Sequence, residues 1–288
     1  MSKNYVVGLG DNVVDYYQNQ NVKYPGGNAV NFSVFAPKQI VDSYYVGSLA
    51  KDDDGELILN SLKEENVNTS FCNRINAQTE KTFVNIVNGD RQFIDSIRGT
   101  RQLPPLDEPN LIKMLDSAMV VYSACHANSE NVIAKLHKRG IIIAYDFSEM
   151  AKYHTAEYLN KVAQNVDIAQ FSLSEAKDDD MERILMQCIK LNTALVLFTN
   201  GGKPPLLFDC NHRKKYVGQV QYDPEPIDTM GAGDTFFANL VVYLLTKAKN
   251  LKNLSEGDIN ETLTKAALAA AKTIRQKGSF GHGTKITR

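Results

Sequence analysis

Four short apolar runs constrain the fold of this chain more than any other feature. They are Met119-Val120-Val121-Tyr122, Ile141-Ile142-Ile143-Ala144-Tyr145, Asp167-Ile168-Ala169-Gln170-Phe171 and Ala194-Leu195-Val196-Leu197-Phe198. Helical stretches lie between them, one starting at Ser129 as an N-cap and stopping before Gly140. A strand that is apolar almost throughout is buried on both faces, so strands of this kind alternating with helices imply an α/β fold. Its central, mostly parallel sheet is flanked by helices. Tyr5-Val6-Val7-Gly8-Leu9-Gly10 and Tyr44-Tyr45-Val46-Gly47 read as further strands of that sheet. Asp11-Asn12 then falls at the C-terminal edge of the first strand, where open α/β sheets bind ligands.

From Lys81 the period changes to two, with Thr82, Val84 and Ile86 alternating against Phe83, Asn85 and Val87. Asn88-Gly89 is a strong hairpin signal, and Gln92-Phe93-Ile94 reads as the return strand. This hairpin and the segment around Val13 to Tyr24 read as a small β appendage. The expected organisation is one domain over residues 1–288, with a lid from about 12–25 and 80–100. Lys51-Asp52-Asp53-Asp54-Gly55 reads as a solvated turn and helix N-terminus, with metal binding as the alternative, before a helix over 56–65, and a final helix is expected over about 259–277.

Basic and acidic residues balance, 32 against 33, which points away from nucleic acid and membrane surfaces. No apolar run approaches the roughly 20 residues of a membrane span, and the N-terminus does not read as a signal peptide. Cys72, Cys125, Cys188 and Cys210 are scattered, and the five histidines show no metal-ligand spacing. A reducing, cytoplasmic setting fits.

The chemistry concentrates in Asp228-Thr229-Met230-Gly231-Ala232-Gly233-Asp234-Thr235-Phe236. Small residues at the start of an apolar helix let free backbone N–H groups approach an anion, and the helix dipole favours negative charge there. A carboxylate beside a bound phosphate makes sense if it does chemistry. Asp234 therefore reads as the base that takes a proton from a hydroxyl attacking a phosphoryl group, with Gly231, Ala232 and Gly233 as the anion hole. A bare strand-to-helix turn is the alternative. Gly8-x-Gly10 lacks the third glycine of a dinucleotide fingerprint, and Pro204 after Gly202-Lys203 excludes a Walker A loop.

The 228–236 run resembles the C-terminal signature of the PfkB (ribokinase-like) carbohydrate kinases, D-T-x-G-A-G-D-x-F. Gly26-Gly27-Asn28-Ala29-Val30-Asn31 resembles their N-terminal signature. The resemblance implies a ribokinase-like fold with a β lid that covers the sugar and often pairs with a second lid, so a homodimer is the expected assembly. It implies sugar contacts from Asp11, Gly26, Gly27 and Asn31, with Asn28 and Asp15 as further candidates; Asp11 also fits a cap or turn residue. ATP and Mg2+ are implied, with a monovalent cation in some members. On the nucleotide side, Ser172-Leu173-Ser174-Glu175 aligns with the family's Asn-x-x-Glu, so Glu175 would act on magnesium through water while Ser172 replaces the usual Asn. Thr199, Gly201 and Gly202 match a Thr-x-Gly element, and the small-residue stretch containing Ala267 borders adenine in the family; close helix packing fits that stretch equally well.

Within the family, the similarity is greatest to members that phosphorylate the 6-hydroxyl of fructosyl-amines such as fructoselysine. It rests on Gly10-Asp11-Asn12, Val14-Asp15, Gly26 to Asn31, Tyr145-Asp146-Phe147-Ser148, Ile227 to Asp234, and Ala270 to Ile274 with Gly278. Lid arginines Arg91 and Arg98 read either as a grip on a carboxylate of such a substrate or as surface arginines of a wet hairpin. Two rivals stay open: a kinase for another sugar, sugar acid or nucleoside, and a non-catalytic sugar-binding protein on the same fold.

Overall fold

Alternate residues of each buried strand enter opposite cores. On β1 (Tyr5–Leu9), Val6 joins one core while Tyr5, Val7 and Leu9 join the other. The same split holds on β9 (Val120–Ala124), where Val120 and Tyr122 face one way and Val121 the other. With β4 (Asp42–Val46), β10 (Ile143–Asp146), β11 (Ile168–Ser172), β12 (Leu195–Asn200), β13 (Lys203–Asp209) and β14 (Lys214–Val217), these strands form an eight-stranded sheet. Its order is β14-β13-β12-β11-β10-β9-β1-β4. From β4 to β12 every pairing is parallel; β13 and β14 return antiparallel. The computed structural model describes residues 4–87, 90–173, 178–221, 225–248 and 250–286.

One core is closed by α1 (Asn28–Phe35), α2 (Asp53–Glu64), α7 (Ala232–Lys247) and α8 (Glu256–Thr273). The other is closed by α3 (Pro109–Asp116), α4 (Glu130–Lys138), α5 (Ala156–Val162) and α6 (Asp178–Lys190). α7 is buried without a break from Thr235 to Val242 because it lies between α1 and α8 over the sheet. Phe32 of α1 stacks on Tyr122 at 4.2 Å, and Phe237 of α7 meets the same ring edge-on at 6.0 Å. Each fully buried Phe contributes about 2–3 kcal/mol. The two helices whose first turns form the site are thus anchored to one strand.

A second sheet runs β15-β3-β2-β7-β8, from β2 (Val13–Tyr17), β3 (Val22–Gly26), β7 (Glu80–Val87), β8 (Asp90–Ile97) and β15 (Thr284–Lys285). The 12–25 and 80–100 segments meet here through the parallel β2–β7 pairing. The Asn88-Gly89 turn lies outside the described residues. Tyr17, Tyr24 and Val84 pack on one face, while Tyr16 and Phe83 pack on the other. A short pair, β5 (Ser48–Ala50) with β6 (Asn73–Ile75), completes the strands.

The acidic run at 52–54 is not the solvated turn its composition implies. Asp52 is the N-cap of α2, accepting from the Gly55 N–H at 2.8 Å, and it also accepts from Thr79 N–H at 2.8 Å. Asp54 is buried and receives Lys23 at 2.5 Å, Lys81 at 3.2 Å and the Tyr16 hydroxyl at 2.8 Å. The acids fasten α2 to the second sheet, so the helix begins at Asp53 rather than at 56.

Candidate active site

Three chain segments converge at the C-terminal edge of the large sheet. Asp11 follows β1, and its carboxylate accepts from the backbone N–H of Asn28 at 2.8 Å and Ala29 at 3.3 Å. It caps α1 from a distance, because the N-cap residue of that helix is Gly27, which has no side chain. Gly27 has φ +111°, and a Cβ there would lie 2.7 Å from the Asn12 Cα. A Cβ on Gly26 would lie 2.9 Å from a carboxylate oxygen of Asp15. The Gly-Gly pair therefore lets the lid strand pass against the start of α1.

Asn31 and Asn28, one turn apart on α1, both reach Asp234 in the first turn of α7. Asn31 Nδ2 donates to Asp234 Oδ2 at 2.6 Å, and Asn28 Nδ2 donates to Oδ1 at 3.2 Å. Ser279 fixes the Asn31 amide by donating to its Oδ1 at 2.9 Å. The Asn28 amide also lies 3.3 Å from Asp146 Oδ2 at the end of β10, so one side chain links two carboxylates. Burial is the main force on both acids. It pushes Asp234 up to about 6, helped by the Asp11 charge and opposed by the two amides and Arg91. It pushes Asp146 up to about 7, with Asp234 as the next contributor. Asp15 is likewise raised to about 6 by burial, against the pull of Arg91.

Gly231, the N-cap of α7, has φ +76°, and a Cβ there would lie 2.7 Å from Ser279 Cβ. Among the described residues the N–H groups of Gly231, Gly233 and Asp234 have no acceptor, whereas Ala232 N–H donates to Thr229 O at 3.3 Å. Space at Gly233 is open, with Gln170 Nε2 the nearest atom to a Cβ there, at 3.9 Å. A helix start with free N–H groups beside an acid raised toward neutrality can hold an anion and take up a proton at adjacent points.

The remaining sequence candidates divide. Ser172 and Thr199 sit opposite each other on β11 and β12, their hydroxyls 3.2 Å apart. Gly201 and Gly202 are exposed at the β12–β13 turn with open space around them. Glu175 lies outside the described residues. Ala267 is buried in the core between α8 and α7, where it packs helices together. Arg91 reaches Met230 Sδ at 3.3 Å and acts on Asp15 and Asp234. Arg98 follows β8 as an exposed residue and joins none of these bonds. Among the described residues, no three His, Cys, Asp or Glu side chains gather as a metal cage.

Sequence reasoning passed over Gln170 and Asp228 as site residues, and it met Asp146 only as part of a resemblance. Gln170 donates to Asp146 at 3.4 Å and keeps a buried Oε1 without a partner among the described residues. The fully buried Asp228 accepts from the Tyr17 hydroxyl at 2.6 Å, Gly278 N–H at 2.8 Å and Met230 N–H at 3.0 Å, tying β2 to the loop before α7. Asp228→Ala leaves those three donors unsatisfied. It is expected to cost about 2–4 kcal/mol, read as a lower urea midpoint; an unchanged midpoint would show that the loop is held by other contacts.

A family profile described as pfkB family carbohydrate kinase matches residues 2–282. The chain is 29% identical over 282 residues to the fructosamine kinase FrlD of Bacillus subtilis, covering 96% of this chain and 93% of that one. It is 27% identical over 276 residues to the fructoselysine 6-kinase of Escherichia coli, covering 94% and 98%. In fold it is similar to the ATP-bound fructokinase of Xylella fastidiosa, with a TM-score of 0.78 at 18% identity over 97% of this chain and 95% of that one.

Proposed function

Because the chain belongs to the pfkB family of carbohydrate kinases, we propose that it transfers the γ-phosphoryl group of ATP to the 6-hydroxyl of a fructosyl-amine such as fructoselysine. It is an ATP-dependent sugar kinase with a ribokinase-like α/β fold. The substrate assignment is supported by its similarity to a fructosamine kinase and a fructoselysine 6-kinase over nearly the whole chain. The observation that carries the mechanism is the Asp234 carboxylate, half-buried, held by two amides and set beside the open N–H groups of α7.

In this mechanism Asp234 accepts the proton of the attacking hydroxyl. The N–H groups of Gly231, Gly233 and Asp234 hold the charge that develops on the transferred phosphoryl oxygens. Asp11, Asp15, Asn28 and Asn31 line the sugar side, and Arg91 closes over it from β8. The second sheet acts as a lid that keeps water from the phosphoryl group. Ser172, Thr199, Gly201 and Gly202 form the nucleotide side. Bound magnesium would supply positive charge that offsets the charge of the ATP phosphates. Glu175, Asp146 and the orphaned Gln170 oxygen would hold it through water, since no cage of three His, Cys, Asp or Glu side chains forms among the described residues. A homodimer through the lid is supported by the edge strand β8, where Phe93 is 65% exposed and Ile97 41%.

The test is ADP release with Mg-ATP against fructoselysine, other fructosyl-amino acids, fructose, ribose and no acceptor. Turnover confined to fructosyl-amines is expected. Turnover of another sugar alone would discard the substrate while keeping the kinase.

A pH dependence follows from Asp234 at about 6. The base works only when deprotonated, so kcat/KM is expected to fall about tenfold per pH unit below about 6 and to level off above it. Asn31→Leu removes a hydrogen bond that favours the charged form, so it moves this acid limb to higher pH. A limb that stays put in that variant would show that another group controls it.

A further inference from the structure

A second polar cluster lies beside the first, with Asp11 common to both. His126 follows β9, and its ring meets Tyr153 edge-on at 5.5 Å. Lys152 places its ammonium over the same ring, 4.7 Å from the centroid, and forms no ion pair among the described residues. Glu80 opens β7 opposite Val13, two residues beyond Asp11, and accepts Arg101 Nε at 2.7 Å. His126 and Arg101 both feel the Asp11 charge, as does Asp234.

The mechanism leaves these groups without work. Phosphoryl transfer to a plain sugar needs carboxylates and amides for hydroxyls, not two cations, an imidazole and an aromatic ring. A sugar whose reacting hydroxyl faces Asp234 and whose ring passes Asp11 presents its far end to this cluster. We propose that Lys152, Arg101, His126, Tyr153 and Glu80 form a subsite for the amine and carboxylate of a fructosyl-amino acid. This rests on the fructosyl-amine reading above. The substrate's secondary ammonium faces Glu80 and Asp11. Its carboxylate faces Lys152 and the donors of Arg101 left over from the Glu80 pair, since a guanidinium has five N–H groups. The aliphatic part covers Tyr153. The carboxylate grip thus falls to Arg101 and Lys152 rather than to Arg98.

The experiment compares kcat/KM for fructosyl-glycine with that for fructosyl-ethylamine, which keeps the amine and lacks the carboxylate. The unmodified enzyme is expected to favour fructosyl-glycine. In Lys152→Met that preference is expected to fall about tenfold, the loss of one charge-assisted contact. In His126→Gln the preference is expected to fall less. Equal loss on both substrates, or an unchanged preference in both variants, would overturn the subsite while leaving the fructosyl-amine reading intact. Turnover of fructose but of neither fructosyl-amine by the unmodified enzyme would overturn that reading, and the subsite with it.

Discussion

Asp234→Asn is expected to lower kcat by at least about 10³-fold while leaving the protein as stable as before or more so. General-base removal costs about 10²–10⁴ in rate, and the loss here should sit in the upper part of that range. The neighbouring carboxylates are committed elsewhere: Asp11 is spent on capping α1, and Asp146 is held by the Asn28 and Gln170 amides. The stability half of the expectation has a separate cause. Asp234 is pushed to about 6, chiefly by burial, so ionising it at pH 7 costs the fold on the order of 1–3 kcal/mol. The sign is that of an acid with a raised folded pKa: stability falls as pH climbs from about 4 to about 6, and the charge stays costly above that. The amide removes this cost, offset by one weakened contact to the Asn31 amide, which Ser279 holds in place. Stability by urea unfolding and turnover by ADP release should therefore move apart. Activity within tenfold of the unmodified enzyme would remove Asp234 from the base role. A matched loss of both would make it a structural acid.

The parts of this molecule written in local pattern were readable in the chain. The apolar runs at 119–122, 141–145, 167–171 and 194–198 became β9 to β12, shifted by a residue or two at their ends. Two signatures far apart in the chain pointed to one site, and the structure brings Asn28 and Asn31 to within hydrogen-bond distance of Asp234. What escaped was whatever depends on partners from other elements. Asp54 looks like a surface acid in sequence, yet it is buried because Lys23 and Lys81 arrive from two lid strands. β15 is two residues long, too short to carry a period, and pairs with β3 only after the chain has folded back. Asp146 ends β10 and Gln170 sits opposite it in the middle of β11; both strands look merely apolar in sequence, and the proximity is a matter of parallel register. Arg98, expected from its place in the lid, is exposed, and Ala267, set beside adenine by the resemblance with helix packing as the alternative, lies where α8 packs on α7.

Gly27→Ala tests the backbone that makes the site possible. The added methyl meets the Asn12 Cα at 2.7 Å and the Asp11 carbonyl oxygen at 3.1 Å, backbone atoms with nowhere to move. The residue must also hold φ +111°, a conformation that a side chain strongly disfavours. Strain and clash together are expected to cost about 2–4 kcal/mol. Relief requires the start of α1 to shift away from β1, which breaks the Asn28 and Ala29 bonds to Asp11 and moves both amides off Asp234. Activity is therefore expected to drop at least about 10²-fold, since a displacement near 1 Å costs about that much in a positioned reaction. Gly201→Ala is the control, because φ is +50° there and nothing lies within 4 Å of the new methyl. It should cost only about 1 kcal/mol with little effect on sugar KM. Urea midpoints and sugar KM for the two variants decide the matter. Equal losses would mean that Gly27 is a flexible turn residue like Gly201, and that the close passage of the lid strand over α1 does not organise the site.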